Sequence, residues 1–356
     1  MRGTNRLPSS QQIMRKTTVP GLVLLLVLPI WIAGGLSPVA ISGANVAWNG
    51  EISIGRGAWG RLTRLEDGQW LSVMTRFSKN EPSRLGIQRA TNASGPWLGV
   101  TDLRETGRKL DNGHLLTLSN GMVLLTGRSL IENKSHQLPV YRSADRGQTW
   151  QAISQVDSSD VPPGTSGSHG LWEPFLFQLP DGKISVIYSN EKHEGYSQVL
   201  SQKTSEDDGR TWGPETRIVE EAKGGKLRPG MGVVARMADG RFLLVYEVVG
   251  LGRGTVHYKI SQDGISWPTG LGTPIPGHEA APYAIVLADG RILLTSCSNT
   301  LSISEDGAKS WRTLEKSPWG QGFKYIWPAL YEIAPGELAA IVSEGAVKLK
   351  TGRMVQ

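Results

Sequence analysis

The chain is written as short apolar runs closed by turn signals. Ile184 to Tyr188, Phe242 to Tyr246 and Ile292 to Thr295 are rich in β-branched and aromatic residues and too short for helices, so each predicts a buried strand. Each follows a tight-turn pair, Asp181-Gly182, Asp239-Gly240 and Asp289-Gly290, with another apolar run ahead of it. Asp67-Gly68 and Asn120-Gly121 are earlier copies, and Pro335-Gly336 is a looser last one. Asp-Gly and Asn-Gly favour the positive φ angles of tight hairpins, so each copy reads as strand, turn, strand. Six hairpins at intervals of 46 to 61 residues give a repeat period in the propeller range.

A second repeat lies between the hairpins. Ser143, Asp145, Gly147, Thr149 and Trp150 recur in the same order as Ser205, Asp207, Gly209, Thr211 and Trp212. Shortened copies run from Ser261 through Asp263 to Trp267 and from Ser304 through Asp306 to Trp311, and Ala90 to Trp97 is a worn first copy. The aspartate accepts backbone N–H groups, the glycine permits the turn, and the tryptophan anchors the next strand. Each blade then reads as an inner strand, the Asp-Gly turn, a second and a third strand, this turn, and an outer strand. The expected fold class is all-β, a six-bladed β-propeller. The last blade lacks the second turn, and Asn45 to Gly55 is predicted to supply its outer strand and close the ring without an open edge.

Composition supports this picture and adds a leader. Gly 44, Pro 20 and Trp 12 in 356 residues fit many short strands joined by turns. Part of the net charge of +6 sits in Arg2, Arg6, Arg15 and Lys16; no basic stripe follows, so nucleic acid is not an expected partner. After those residues an apolar run from Val19 to Ala33, interrupted by Pro29, leads into small residues up to Ala44. Residues 1–44 therefore read as a signal peptide or membrane anchor, with cleavage expected after Ala40 or Ala44, and residues 45–356 as the exported domain. Cys297 is the single cysteine, so no intrachain disulfide can form, and it reads as a buried strand residue.

Both kinds of turn fall at one end of the ring, so a site on the axis draws on the other end. Before the inner strands stand Trp59, Arg61, His114, Trp172, Glu173, Arg228, Tyr283, Tyr325 and Trp327. After the second strands stand Arg76, Arg128, Asn190, Glu191, Glu247, Ser296 and Glu344. Aromatic faces and charged forks around one axis are the composition of a carbohydrate site. Glu173 and Glu247, on neighbouring blades, are the candidate catalytic pair, one to protonate a leaving oxygen and one to attack the anomeric carbon or activate water. Arg61, His114, Trp172, Asn190, Arg228, Tyr283, Tyr325 and Trp327 are the candidate substrate contacts. No metal-ligand spacing surrounds His114 and no cofactor is expected. The Ser-, Pro- and Gly-rich segment from Val156 to Gly170 is expected to wall the site.

The Ser-x-Asp-x-Gly-x-Thr-Trp repeat resembles the Asp-box of the sialidase-like β-propellers, a likeness of architecture, since non-enzymatic propellers carry it too. Trp172 to Phe175, Gly195 to Lys203, Leu227 to Met231 and Tyr246-Glu247, with weaker support from Arg61 to Arg64, resemble segments of glycoside hydrolase family 93, the exo-α-1,5-L-arabinanases. That resemblance implies a retaining enzyme releasing arabinobiose from linear arabinan, with Glu247 matching the nucleophile and Glu173 the acid/base. A sialidase is the alternative enzyme: Arg61 and Arg228 would form part of a carboxylate clamp, and Tyr325 stands near the nucleophile's place. Tyr283 replaces the third arginine, however, and Met74 to Lys79 has no aspartate. A non-catalytic glycan- or protein-binding propeller is the third reading.

Overall fold

A computed structural model describes residues 44–161, 169–221, 224–320, 322 and 324–355. Almost all of the expected leader lies outside the described residues, as does the centre of the segment expected to wall the site. Val156 to Asp160 of that segment belong to the strand Gln151–Asp160.

Among the described residues every regular element is a β-strand, and the strands form six antiparallel sheets around one axis. Blade 1 runs Ala58–Arg64, Trp70–Arg76, Arg84–Ala90 and Leu98–Leu103 from the axis outward. Blades 2 to 5 repeat the order, with inner strands Lys109–Thr117, Leu171–Gln178, Arg228–Arg236 and Tyr283–Val286. Blade 6 is built from Ile326–Ala334, Glu337–Ser343 and Val347–Val355. Its outer edge is supplied from the start of the chain: Asn45 pairs with Val355, Trp48 with Gly352, and Ile52 with Leu349. The ring is closed as the unfinished last blade predicts.

In the hairpin turns the glycine alone takes the left-handed region, at φ 82° for Gly68 and 89° for Gly182, Gly240 and Gly290. The aspartate instead accepts the N–H two residues on, as Asp67 does from Gln69 at 3.0 Å. The second kind of turn forms the expected lock: Asp145 accepts the N–H groups of Gln148 and Thr149 and the Thr149 hydroxyl, while Ser143 Oγ accepts from Gly147 at 2.8 Å. It also fastens blade to blade. A Cβ at Gly147 would lie 2.7 Å from Leu71 of the preceding blade, and Trp267 Nε1 donates to Gln202 of the preceding blade at 2.8 Å.

A third repeat shapes the axial end. Near the start of each inner strand one residue takes a positive φ and the register with the second strand slips by a bulge: Trp59 (58°), Asn112 (49°), Glu173 (52°), Met231 (53°) and Trp327 (54°). Ala281 (45°) stands at the same place ahead of blade 5. Each is followed by Gly or Pro: Gly60, Gly113, Pro174, Gly232, Pro282 and Pro328. The glycines are needed for close packing, since a Cβ at Gly60 would lie 2.4 Å from Val347 of blade 6.

Candidate active site

The five bulges and Ala281 bring one residue per blade to the rim of the axis, and the residue two positions on lies further along the inner strand. Trp59, Arg61, His114, Glu173, Phe175 and Met231 line one axial cavity together with Pro174, Gly232, Val233 and Pro282. Trp59 is backed by Trp327, with ring centroids 5.6 Å apart.

A left-handed residue turns its N–H out of the sheet, where it needs an acceptor. The preceding blade supplies one from the end of its second strand. Ser343 Oγ accepts from Trp59 at 2.9 Å, Ser189 Oγ from Met231 at 3.2 Å, and Glu247 Oε2 from Ala281 at 2.7 Å. The Cys297 sulfur does the same for Trp327. Glu247 therefore occupies a position where serine meets the structural requirement elsewhere in the ring, and it carries a carboxylate there. Glu173 is itself a left-handed residue, and its Oε2 accepts from Ser189 Oγ at 2.8 Å.

Glu247 and the serine that donates to Glu173 meet beside the backbone of Gly230. A Cβ at Gly230 would lie 2.7 Å from Gln198 Nε2, 3.3 Å from Ser189 Oγ and 3.7 Å from Glu247 Oε1, so the glycine keeps this space open chiefly for Gln198. Burial pushes Glu247 up to about 7, helped by the negative charge of Glu173 and opposed by the Ala281 N–H and the charge of Arg228. Burial also raises Glu173, opposed by the Ser189 hydroxyl, the charge of Arg128 and the Met231 N–H. Burial thus pushes both carboxyls toward their protonated forms, with the charge of Glu191 adding to the rise of Glu173 and that of Glu173 to the rise of Glu247.

The arginines at this end are mostly neutralised. Arg128 is held by Asp111 through two bonds of 2.7 and 2.5 Å, with its guanidinium 3.8 Å from the Trp172 ring centroid. Arg228 pairs with Glu191 and also donates to Gln198 at 2.8 Å. Arg76 pairs with Asp102 at 3.1 Å. Arg61 differs: it is 4 % exposed, lies 4.4 Å from the Trp59 ring centroid, and donates to the carbonyls of Gly60 and Trp327 at 2.8 and 3.2 Å. Burial and Arg61 push His114 down to about 3. Its Nδ1 accepts from Leu176 N–H, so the neutral ring carries its proton on Nε2.

Residues 163–321 match the BNR repeat-like domain. The architecture is a six-bladed β-propeller, similar to those of the solved structures that follow. The structure of Penicillium chrysogenum α-L-arabinanase complexed with arabinobiose is similar at a TM-score of 0.75 and 22 % identity, over 86 % of this chain and 98 % of that one. The GH93 α-L-arabinofuranosidase of Fusarium graminearum with arabinobiose follows at 0.73 and 20 %, over 87 % and 98 %. A sialidase from Streptococcus pneumoniae reaches 0.56 at 11 %, over 87 % of this chain and 70 % of that one. No curated protein sequence matches the chain.

Of the expected residues Arg61, His114 and Glu173 line the axial cavity, Glu247 and Trp327 adjoin it through Ala281 and Trp59, and Asn190, Tyr283 and Tyr325 lie in other surroundings. Asn190 is fully buried in a polar network with Ser201, Glu215 and His193. Its strand neighbour Ser189 is the residue that reaches Glu173. Tyr283 is buried among Phe175, Tyr331 and Arg61, and opens instead to a cleft further along the axis with Arg64, Arg236 and Glu332. Tyr325 packs on Trp319 at 5.9 Å and lines a groove with Trp48 and Lys350, away from the axial cavity. Cys297 is buried as expected, beyond its strand rather than within it, against Trp59, Met231 and Ala281. Ser189, Gly230, Met231 and the Ala281 N–H were not singled out from the sequence. The recurrence of a residue followed by Gly or Pro at six inner-strand starts is the signal that locates them.

Proposed function

We propose that the chain is a retaining glycoside hydrolase acting on a neutral sugar polymer, with linear α-1,5-arabinan as its substrate. The observation that carries this is a pair of buried glutamates from neighbouring blades at the axial end, close enough for the charge of Glu173 to help raise Glu247 to about 7. In this reading Glu247 gives its proton to the leaving oxygen while Glu173 Oε attacks the anomeric carbon, forming a glycosyl ester. Glu247, now ionised, takes a proton from water as that water displaces Glu173 and restores both groups. This reverses the roles implied by the segment resemblance, because an acid/base needs a pKa near the working pH and Glu247 is held at about 7.

Arabinan is favoured by the likeness to two propellers whose structures hold arabinobiose. It is also favoured over a sialoside by the arginines: Arg76, Arg128 and Arg228 each face a carboxylate of this chain, which leaves them suited to hydroxyls and weakens any clamp for a substrate carboxylate. The apolar leader supports action outside the cytoplasm. A panel of linear arabinan and a sialyl-lactose, assayed for released sugar, tests the reading. Sugar from arabinan alone is expected, and free sialic acid would overturn the substrate class.

A further inference from the structure

Beside the axial cavity, between the ends of blades 1 and 6, lies a second cleft of about 480 Å³. Trp327 joins the two, since it packs against Trp59 at the axial cavity and also lines this cleft. The remaining wall includes Arg56, Phe77, Ile326, Lys324 and Glu344. Phe77 is 66 % exposed, at a position just after the second strand of blade 1 where nothing in the fold requires an aromatic ring. Arg56 is exposed, and among the described residues no carboxylate stands within ion-pair distance of it. Lys324 and Glu344 pair at 3.4 Å on the opposite side. The backbone that presents Arg56 is tightly set, since a Cβ at Gly57 would lie 2.5 Å from the Thr75 carbonyl oxygen.

We infer that this cleft is a second saccharide site, which holds residues of the substrate chain beyond the sugar at Glu173 and Glu247. It rests on the glycosidase reading above. An exposed aromatic face flanked by a free guanidinium and by a lysine-glutamate pair offers what a sugar residue uses: a flat apolar surface for its C–H face and donors and acceptors for its hydroxyls. The packed Trp59–Trp327 pair, one ring lining each cavity, sets the two side by side, so the occupant is the next part of the same polymer. The cleft therefore favours long chains over short ones.

The test is binding of linear α-1,5-arabino-oligosaccharides, a dimer and an octamer, to the full chain carrying Glu247→Gln to prevent turnover, with Phe77→Ala and Arg56→Ala added separately. The octamer is expected to bind about tenfold tighter than the dimer, and each added substitution is expected to erase most of that gain while leaving dimer affinity unchanged. Equal affinity for both lengths, or a length advantage that survives both substitutions, overturns the second site and leaves the glycosidase reading in place. Failure of every arabino-oligosaccharide to bind overturns the arabinan reading and this site with it.

Discussion

Glu173 lies close enough to Glu247 for its charge to help hold the proton of Glu247 up to about 7. Activity in the proposed direction needs Glu173 ionised and Glu247 protonated. The kcat/KM profile is therefore expected to be bell-shaped, rising as Glu173 ionises and falling above about pH 7 as Glu247 loses its proton, with both apparent values belonging to the pair. Initial rates from pH 4 to 9 check this. A profile still rising at pH 9 would place the acid elsewhere.

The same shift sets a stability trend. The pKa of Glu247 lies above its ordinary 4.5 in the folded chain, so its burial costs nothing when both states are protonated, costs more as pH rises from about 4.5 to 7, and is constant above that. Glu247→Gln is expected to be more stable than the wild type by roughly 2 kcal/mol at pH 8 and by little at pH 4. Denaturant unfolding at the two pH values measures the difference, and an equal offset at both would exclude ionisation as its cause.

The role of each glutamate is separable by an added nucleophile. Glu173→Ala and Glu247→Ala are each expected to lower kcat by about 10² or more. With an aryl arabinoside and azide, loss of the acid/base leaves the glycosyl ester to be intercepted, giving a glycosyl azide of retained configuration. Loss of the nucleophile gives direct displacement and the inverted azide. The retained product is expected from Glu247→Ala. Its appearance from Glu173→Ala instead would restore the roles implied by the segment resemblance.

The blade-locking turns should act on stability alone. Asp207 is held down to about 2 by the Thr211 hydroxyl and N–H, with Ser205 and Arg210 adding to them. Its contribution is present above the ordinary carboxylate range and lost as pH falls through about 2. Because the group is exposed, Asp207→Ala is expected to cost about 1 kcal/mol at pH 7 with kcat/KM unchanged. Thermal unfolding and a parallel assay decide it, and a large loss of activity would give the turn a part in the site.

The ring was legible because its signals are local. Asp181-Gly182 and Ser205 to Trp212 each specify their turn within a few residues, and the repeat count follows. Even the closing strand followed from a blade left incomplete. Glu173, Glu247 and Trp327 were reachable from topology, since they sit where inner strands begin and second strands end. Asn190 was misplaced by one residue: Ser189 pairs with Trp172 and Asn190 with Leu171, and one step along a strand moves a side chain to the opposite face. Tyr283 holds the same place in its blade as Arg61 and His114 but is buried against Tyr331, and Tyr325 packs on Trp319, partners that no local pattern names. The capping of a left-handed residue by the preceding blade joins Glu247 to Ala281, a contact between sequence-distant positions that no local pattern announces.

Because Ser189 and Ser343 fill the same place in their blades as Glu247, Glu247→Ser retains a cap for Ala281 while removing the carboxylate, which separates chemistry from folding. The decisive measurement is product analysis of linear α-1,5-arabinan incubated with the wild type and with Glu247→Ser, after matched unfolding curves. Release of short arabino-oligosaccharide by the wild type, and loss of that release in an equally folded variant, is the predicted result. Undiminished release by Glu247→Ser, or none by the wild type, would contradict the account.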